Sequence, residues 1–413
     1  MIRIPSYDLS SHNTFGMKVK CALYIEYSSL DELRAVLAED LPQPVLHIGG
    51  GSNLLFRGDF PGTVLHSAIG GISFAEAPTS PADSTSPADS CCPADSTSPA
   101  DSSCPADSTS PADATSQADS SCPADSTCPA DSTCPADSSR CQGRPDRPFP
   151  SPADDTVIVT AGAGVVFDDL VAETCRRGLW GLENLSLIPG EVGASAVQNI
   201  GAYGVEAGDV IDRVFCLDAA TGEEIVFAAA DCAYGYRDSR FKHEKGRYIV
   251  LKVTFRLTRR YAPVLGYGNI IAALEGRDLA ALTPSDVREA IIRIRREKLP
   301  DPAETGSAGS FFKNPVIPRE HFERIVASVP DGKVPHFDLP DGMVKVPAAW
   351  MIDTCGFRGA VKGGAKVYDK QPLVIVNATG SASPDDVIAL ESDIIAAVRS
   401  RFAVDLHPEV EHV

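Results

Sequence analysis

The stretch Ile188-Pro-Gly-Glu-Val-Gly-Ala-Ser-Ala-Val-Gln-Asn-Ile-Gly-Ala-Tyr-Gly204 decides the fold of this chain. Glycines and other small residues recur in it without any low-complexity character, so its backbone N–H groups lie under few side chains. Gln198 and Asn199 stand among apolar residues, and their amides must find hydrogen-bond partners if they are buried. The stretch is either a buried loop satisfied by its own backbone or one wall of a ligand site.

A second glycine-rich loop, Gly49-Gly-Gly-Ser-Asn53, lies between the apolar runs Pro44–Ile48 and Leu54–Phe56. Consecutive backbone N–H groups in such a loop can form a nest that cradles a pyrophosphate. No helix pattern follows at once, so this is not the glycine motif of a Rossmann fold. Alone it would be explained as a tight turn, but two such loops in one domain favour an extended, dinucleotide-like ligand.

Size and charge limit the function classes. The 413 residues predict about two or three domains. The formal charge of −19 argues against non-specific nucleic-acid binding, although a cleft with local basic residues can still hold an anionic small molecule. No apolar run approaches the roughly 18–20 residues of a membrane span. The first residues, Met1–Asp8, lack the apolar core of a secretory signal. We therefore expect a cytoplasmic protein without a membrane partner.

A low-complexity tract from Thr79 to Ser139 repeats a hexapeptide of the form Pro-Ala-Asp-Ser-x-x. Its ten Asp residues, with no Lys, Arg or Glu, account for the difference between a charge of −19 and one of −9. It has too few apolar residues to offset the entropy of ordering, so we expect a disordered loop. The flanks Gly71–Glu76 and Thr156–Ala161 are strand-like, which places the tract at the tip of a β-hairpin. Its origin is either neutral repeat expansion or a functional metal-binding or thiol-bearing segment.

Of the twelve cysteines, seven lie in or next to this tract and five are scattered. Without a CxxC pair or a Cys/His cluster, we expect free thiols and no metal site.

The order of predicted elements favours an α+β fold. Helices and strands are interspersed without regular βαβ alternation. Thr283-Pro284 with Asp286 predicts a helix that reaches about Lys298, and Ser383-Pro384 with Asp386 predicts another that reaches about Phe402. A break near Thr283 divides the chain into residues 1–282, which carry the insertion at 79–139, and a C-terminal domain, residues 283–413.

Several other residues are candidates for chemistry. In Gly306-Ser-Ala-Gly-Ser-Phe-Phe-Lys-Asn-Pro315, we expect Phe311 and Phe312 to hold the hydroxyl of Ser310 in a water-poor pocket. Arg237, set among aromatics in Tyr234–Lys242, can bind a carboxylate through two N–H groups or stabilise an enolate; the alternative is a surface ion pair.

Tyr267 lies between glycines, as on a mobile flap or at a simple hairpin tip. Lys298 at a helix C-terminus and Glu409 in a polar tail would be unremarkable alone.

Taken in order, these stretches resemble the UDP-N-acetylenolpyruvoylglucosamine reductase family of peptidoglycan synthesis, in its subgroup with a substrate-covering tyrosine loop. The resemblance covers nearly the whole chain except the repeat tract. The stretches that carry it are Asn13-Thr-Phe-Gly16, Gly49–Asn53, Gly181-Leu-Glu-Asn184, Ile188–Gly204, Tyr234–Lys242, Leu299-Pro-Asp-Pro302, Gly306–Pro315 and Pro408-Glu-Val410.

The resemblance implies an N-terminal FAD-binding region of the vanillyl-alcohol-oxidase (PCMH) type and a smaller α+β substrate-binding domain. The FAD would be non-covalent, since the flavin loops contain no histidine. The residues expected to bind it are Gly49, Gly50, Gly51, Ser52, Asn53, Leu54, Ile188, Gly190, Gly193, Ala194, Ser195, Gln198, Asn199, Ile200, Gly201 and Ala202.

The resemblance also implies the reaction, that of an NADPH-dependent UDP-N-acetylmuramate dehydrogenase. NADPH would reduce the flavin and leave, and UDP-N-acetylglucosamine enolpyruvate would then enter the same cleft. Flavin N5 would give hydride to C3 and Ser310 a proton to C2. Arg237 and Glu409, the latter protonated or sharing a proton, would stabilise the enolic intermediate. The substrate would be held by Tyr203, Tyr267, Lys298, Asn314 and Gln371.

Two alternatives remain at this level: another FAD-dependent oxidoreductase of the same superfamily acting on a sugar or hydroxy acid, and a catalytically inactive nucleotide-sugar sensor. We expect a monomer. Because the sequence ends soon after Glu409, we expect that residue to have little to anchor it.

Overall fold

The structure, a computed structural model, describes residues 1–76, 155–330 and 332–413. Its best-defined helices begin at the predicted caps: the side chains of Ser29, Thr283 and Ser383 each accept a hydrogen bond from the N–H three residues on. The α-helices are α1 Leu30–Leu37, α2 Phe167–Arg176, α3 Val192–Gln198, α4 Arg240–His243, α5 Ile270–Ala273, α6 Pro284–Lys298, α7 Arg319–Ser328, α8 Ala348–Thr354 and α9 Pro384–Phe402.

The first sheet carries the first glycine loop. Its strand order is β1-β2-β5-β3, with β5 parallel to both β2 and β3. The loop Gly49–Asn53 follows β3 directly, so it lies at the C-terminal end of a parallel strand, where ligands bind in many mixed sheets. The strands of this part of the chain are β1 Ile2–Asp8, β2 Lys20–Tyr27, β3 Val45–Ile48, β4 Leu54–Leu55 and β5 Phe60–Ser67.

The second sheet is antiparallel, in the order β11-β10-β12-β7-β6. Strands β6 and β7 pair with Glu76 opposite Val157, which confirms that the segments flanking the repeat tract form a hairpin. The tract itself, residues 79–139, lies outside the described residues. The strands in this part of the chain are β6 Ile72–Glu76, β7 Thr156–Gly162, β8 Gly201–Ala202, β9 Val205–Glu206, β10 Ile211–Asp218, β11 Glu224–Ala228 and β12 Tyr248–Thr258.

The C-terminal region adds two small antiparallel sheets, β13-β19-β18-β17 and β14-β16-β15. The final strand, β20, returns to the N-terminal region and pairs in parallel with β4. The strands are β13 Ser307–Ser310, β14 Val316–Pro318, β15 Phe337–Asp338, β16 Met343–Lys345, β17 Val361–Lys362, β18 Ala365–Val367, β19 Val374–Asn377 and β20 Glu411–His412.

The hydrophobic core crosses the predicted domain boundary. One buried cluster contains Phe15 and Leu55 from the N-terminal region together with Phe311 from the C-terminal region. Helix α6 packs on α2, and Arg288 binds both carboxylate oxygens of Asp168, at 2.6 and 2.8 Å. The mixture of parallel and antiparallel sheets with packed helices confirms the α+β fold class, while the boundary near Thr283 stays a prediction.

None of the helices in the described ranges combines the length and apolar character needed to cross a bilayer.

Candidate functional site

The two glycine-rich loops meet in space. A side chain at Gly49 would come within 3.1 Å of the Cβ of Ala194, and one at Gly50 within 3.6 Å of the Cα of Gly190. The hydroxyl of Ser52 donates a hydrogen bond of 3.2 Å to the Pro189 carbonyl. The prediction that these loops form one site is therefore supported by direct contacts between them.

The first loop is shaped as a cradle that only glycine can form. Gly51 has a φ of +65°, and a Cβ there would lie 1.8 Å from the carbonyl oxygen of His12. Within residues 1–76, 155–330 and 332–413, the N–H groups of Gly49, Gly50, Gly51 and Ser52 donate no hydrogen bond to a backbone carbonyl. A run of N–H donors without protein partners fits the diphosphate of a dinucleotide.

The second loop is partly helical, since Val192–Gln198 forms α3 and Asn199, with a φ of +45°, ends it. Both predicted amides find partners. Asn199 Nδ2 donates to Glu206 at 2.9 Å and to the Gly235 carbonyl at 2.7 Å, and its Oδ1 accepts from Gly208 N–H at 2.9 Å. These protein contacts occupy the Asn199 side chain, so its backbone is what remains for a ligand.

A carboxylate that the sequence did not single out lies beside the first loop. Glu191 Oε2 would be 3.3 Å from a Cβ on Gly49, and Glu191 Oε1 is 2.8 Å from Nε2 of His66. The other ring nitrogen of His66 is 3.1 Å from Glu26. Burial lowers the pKa of His66, but its contacts with the two carboxylates outweigh burial and raise the pKa above its ordinary value. The protonated form of His66, which would offset negative charge next to the loop, is therefore favoured relative to a free imidazole.

His66 also belongs to a polar cluster with His12 and Glu26, whose donor atoms all lie within 4.8 Å of one another. The hydroxyl of Tyr24 is 2.9 Å from His12, 3.0 Å from His66 and 3.1 Å from Glu26. The position between these three groups is therefore filled by a protein oxygen. The cluster is a hydrogen-bond network centred on Tyr24, and it buttresses Glu191 through His66.

Arg237 lies where the flavin-region loops meet the C-terminal region. Its φ is +54°, a left-handed conformation that is uncommon for a residue with a side chain. Its guanidinium donates to Glu409 Oε1 at 2.9 Å, to the Gly201 carbonyl at 2.5 Å and to the Asn199 carbonyl at 3.4 Å. The side chains of Arg237 and Glu409 are only 17% and 16% exposed, so this ion pair is shielded rather than a surface contact.

The expectation that Glu409 lacks an anchor is wrong. Its N–H donates to the Phe311 carbonyl at 2.8 Å, and its own carbonyl accepts from Asn53 Nδ2 at 3.0 Å. The residues after it form β20, which pairs with β4 beside the first glycine loop. The long-range strand pairing, which the local sequence does not reveal, fixes the carboxylate.

The expectation of a water-poor pocket around Ser310 is wrong for the protein alone. Phe311 and Phe312 are fully buried, as predicted, but Ser310 is exposed. Ser310 is the last residue of β13, where the pairing with β19 is irregular, and its side chain is exposed although the next two residues pack into the core. The residue after Ser310 links this segment to Glu409, because the carbonyl of Phe311 accepts a hydrogen bond from the N–H of Glu409.

Two of the predicted substrate residues, Tyr267 and Asn314, make defined contacts with other parts of the fold. The ring of Tyr267 stacks on Phe337 with centroids 5.5 Å apart and an interplanar angle of 10°. Asn314 donates from its N–H to the Tyr236 hydroxyl at 3.4 Å and accepts from Ala348 N–H at 2.9 Å. The tyrosine flap therefore reaches across to the C-terminal region.

The other predicted substrate residues are more dispersed. Lys298 ends α6 and is exposed, and Gln371 lies in the turn before β19. The residues adjacent to them, Glu297 and Lys370, line one open cavity of about 620 Å³. Tyr203 has a φ of +48° and its carbonyl accepts from Asn184 at 2.9 Å.

Sequence reasoning missed several residues at the site. Arg295 is partly buried beside the Tyr203 hydroxyl, and burial lowers its pKa despite that contact. Lys345 lies over the ring of Tyr236, with its Nζ 4.6 Å from the centroid. Glu191 was present in the quoted motif without being assigned a role. Isolated cations and carboxylates carry no local pattern, so only the fold reveals them.

Comparisons with protein families agree with this geometry. Residues 152–228 match an FAD binding domain, and residues 301–413 match the C-terminal domain of UDP-N-acetylenolpyruvoylglucosamine reductase. The first match contains α2, α3 and the whole of the second glycine-rich stretch, Ile188–Gly204. The second match contains Ser310 and Glu409.

Full-length relatives are also similar. The chain is 41% identical over 409 residues to UDP-N-acetylenolpyruvoylglucosamine reductase of Bacteroides fragilis, covering 98% of this chain and 99% of that protein. It is 38% identical over 413 residues to the enzyme of the same name from Burkholderia ambifaria, covering 98% and 95%.

In fold, the chain resembles the crystal structure of UDP-N-acetylenolpyruvylglucosamine reductase from Thermus caldophilus. The TM-score is 0.55 with 20% identity, covering 100% of this chain and 98% of that one. On the identity and coverage of its relatives, the chain belongs to the UDP-N-acetylenolpyruvoylglucosamine reductase family and is an FAD-containing oxidoreductase.

Proposed function

We propose that the protein reduces UDP-N-acetylglucosamine enolpyruvate to UDP-N-acetylmuramate at the expense of NADPH, as a monomer in the cytoplasm. The observation that carries the proposal is the shielded pair of Arg237 and Glu409, which is hydrogen-bonded through Phe311 to the segment that presents Ser310. This array adjoins the first glycine loop through Asn53 and the second through the bonds from Arg237 to Asn199 and Gly201.

The glycine loops fit FAD. Bare N–H groups at Gly49–Ser52 would hold the diphosphate, and the loop from Gly190 to Ala202 would form the opposite wall. When bound, FAD supplies a carrier that accepts hydride from NADPH and delivers it to carbon. Both ring nitrogens of His66 already contact carboxylates, which is consistent with non-covalent attachment.

Arg237 is equipped to recognise the enolpyruvyl carboxylate. A guanidinium has five N–H donors in a planar fork. Among the described residues, its partners Glu409, Gly201 and Asn199 take three of them. One N–H remains on each terminal nitrogen, the arrangement needed to bind both oxygens of a carboxylate. As hydride adds at C3, negative charge develops on C2 and the carboxylate, and the same donors stabilise it.

Ser310 would donate the proton that completes the reduction at C2. Ser310 is exposed at the end of β13, so its hydroxyl is accessible to a ligand rather than packed in the core. The neighbouring aromatic pair fixes the strand, since Phe311 also donates its N–H to the Leu373 carbonyl at 2.8 Å. An exposed serine can recover its proton from water once product has left.

The remaining residues would hold the nucleotide sugar. Lys298 would bind the diphosphate, with Tyr203, Asn314 and Gln371 as further contacts. Tyr267 would cover the substrate from its position against Phe337. An anionic substrate would suit the site despite the acidic chain, because Arg237, Lys298, Arg295 and Lys345 would supply local positive charge.

The test is a flavin spectrum. Purified protein should be yellow, anaerobic NADPH should bleach it, and UDP-N-acetylglucosamine enolpyruvate should restore the colour without oxygen. Reoxidation by oxygen alone, with turnover of a free sugar or hydroxy acid, would instead identify an oxidase of the same superfamily. A colourless protein that cannot be reconstituted with FAD would refute the assignment.

A further inference from the structure

Lys242 lies at the junction of the second flavin loop and Arg237, and neither the motifs nor the proposed reaction gives it a role. Its Nζ donates to Gln198 Oε1 at 3.0 Å and to the Arg237 carbonyl at 3.0 Å. The side chain is half-buried on α4. It therefore joins the loop expected to bind FAD and the arginine expected to bind substrate by two short hydrogen bonds.

The backbone of Arg237 needs such a partner. A non-glycine residue with a φ of +54° is strained, and it keeps that conformation only where its surroundings hold it there. A charged donor on its carbonyl is among the stronger restraints available, since a hydrogen bond to a charged group is stronger than one between neutral groups. The left-handed backbone in turn aims the guanidinium at Glu409 and Gly201.

Lys242 is held in place by its own short helix. The hydroxyl of Ser239, at the start of α4, donates to the Val197 carbonyl in α3 at 2.6 Å, and Asp238 contacts His243 at 2.8 Å. The first contact ties the start of α4 to α3 and the second braces α4 against the turn before it, both without using Lys242. The ammonium is thus free to act on Gln198 and Arg237 rather than being needed to attach the helix.

We infer that Lys242 is a positioning residue for the reductase: it holds Arg237 in its strained, substrate-facing conformation and ties it to the flavin loop at Gln198. The inference rests on the proposed role of Arg237. It predicts a specific defect, because only the step in which Arg237 meets the enolpyruvyl group depends on the contact. Hydride transfer from NADPH to the flavin does not require the guanidinium.

The electrostatic surroundings add a pH dependence. The groups that face Lys242 are Lys313 after β13, Glu409 and Glu411 in the C-terminal segment, and Asp238 in the turn before α4. Burial, and then Lys313, lower the pKa of Lys242 below its ordinary value, against the opposing effect of the carboxylates. Lys242 should therefore lose its proton, and its donor role, at a lower pH than an exposed lysine.

The decisive variant is Lys242→Met, which keeps the length of the side chain and removes the donor. We expect reoxidation of the reduced flavin by the enolpyruvyl substrate to slow about a hundredfold, since misplacing a reacting group by about 1 Å has that effect. Flavin content and reduction by NADPH should match the wild type. Lys245→Met is the matched control, because Lys245 lies three residues away, is exposed and pairs with Glu411 rather than Arg237.

Lys242→Arg separates charge from shape. Arginine does not titrate in this range, so the alkaline loss of reoxidation rate that we expect in the wild type should disappear in this variant, with part of the rate restored relative to Lys242→Met. The inference would be overturned if reduced Lys242→Met were reoxidised at the wild-type rate. It would also be overturned if the variant lost flavin reduction and reoxidation to the same extent.

A crystal structure of Lys242→Met provides a readout that does not depend on activity. We expect the φ of Arg237 to return to negative values and its bond to Glu409 to be lost. An unchanged Arg237 would overturn the inference. Failure of the proposed function is recognised separately, because wild-type reduced flavin would then not be reoxidised by the enolpyruvyl substrate at all.

Discussion

The glycine loop Gly49–Asn53 and the ion pair of Arg237 and Glu409 lie at the two ends of one hydrogen bond, from Asn53 to the Glu409 carbonyl. The loop keeps its N–H groups without partners among the described residues, whereas the ion pair is enclosed by protein carbonyls and amides. The first region is built to receive an anion. The second holds its charges in place before any ligand arrives, which lowers the cost of reorganisation during reaction.

This difference predicts that changes around the ion pair will impair chemistry while the flavin stays bound, and that changes in the glycine loop will impair flavin retention first. Four substitutions test it, in order of decreasing effect.

Ser310→Ala should have the largest effect. Loss of a general acid slows a proton transfer about 10²- to 10⁴-fold, so reoxidation of reduced flavin by the enolpyruvyl substrate should slow by that factor in stopped-flow measurements. Flavin reduction by NADPH serves as the internal control and should be unchanged. Equal loss in both half-reactions would assign Ser310 to the structure of the cleft and remove it from the chemistry.

Arg237→Lys should lower the rate of reoxidation about a hundredfold, comparable to removing one preorganised donor from an anion site. Lysine keeps the charge but lacks the planar fork that reaches Glu409, Gly201 and the substrate together. Arg240→Lys, at a partly exposed arginine whose Nε is 3.7 Å from Glu244, is the control and should be close to wild type. Near-normal kinetics in Arg237→Lys would contradict two-point binding of the carboxylate.

Gly51→Ala should act on the other region. A Cβ there would overlap the His12 carbonyl and force a left-handed residue, so we expect the free energy of unfolding to fall by more than about 2 kcal/mol. The flavin should dissociate more readily, as measured by fluorescence of released FAD. Gly58→Ala, where a Cβ meets nothing within 4 Å, is the control. Flavin retention equal to the control would refute the cradle.

His66→Gln should have the smallest effect, visible only as a change in pH dependence. The folded pKa of His66 is raised, so its charge contributes stability in full below about pH 6.5 and loses that contribution as pH rises through the folded pKa. In the wild type, flavin retention should therefore decline as the pH rises through neutral and alkaline values. The variant, which has no charge to lose at this position, should not show that decline. His321→Gln, whose ring contacts the Phe402 carbonyl instead of a carboxylate, should keep it.

The sequence predicted the helices whose first residues are marked by capping residues next to them in the chain. The capping boxes at Thr283 and Ser383 place helices α6 and α9 with the observed first residues. Helix α3 was not predicted, because its seven residues include Gly193 and Ser195 and follow a proline, which is a poor helical pattern. Short helices of this kind are stabilised by packing, here within the cluster that contains Val192 and Ala196.

The sequence predicted the site residues that a motif identifies by residue type, but it did not predict how the folded chain orients or anchors them. Ser310 was identified, but its exposure depends on how the end of β13 packs. The anchoring of Glu409 depends on β20 meeting β4, a pairing between distant segments. Lys242 and Glu191 stand inside quoted motifs, yet their partners come from the folded backbone rather than from spacing.

The pairing of β20 with β4 has a consequence for how the enzyme is made. Asn53 and Glu409 are 356 positions apart, so the glycine loop leaves the ribosome long before the carboxylate exists. Contacts of such separation form late and slowly, because a large loop must close first. The nascent chain can shape a flavin-receiving surface early, but its reactive centre is assembled only when residues 409–413 have been translated and have found their strand.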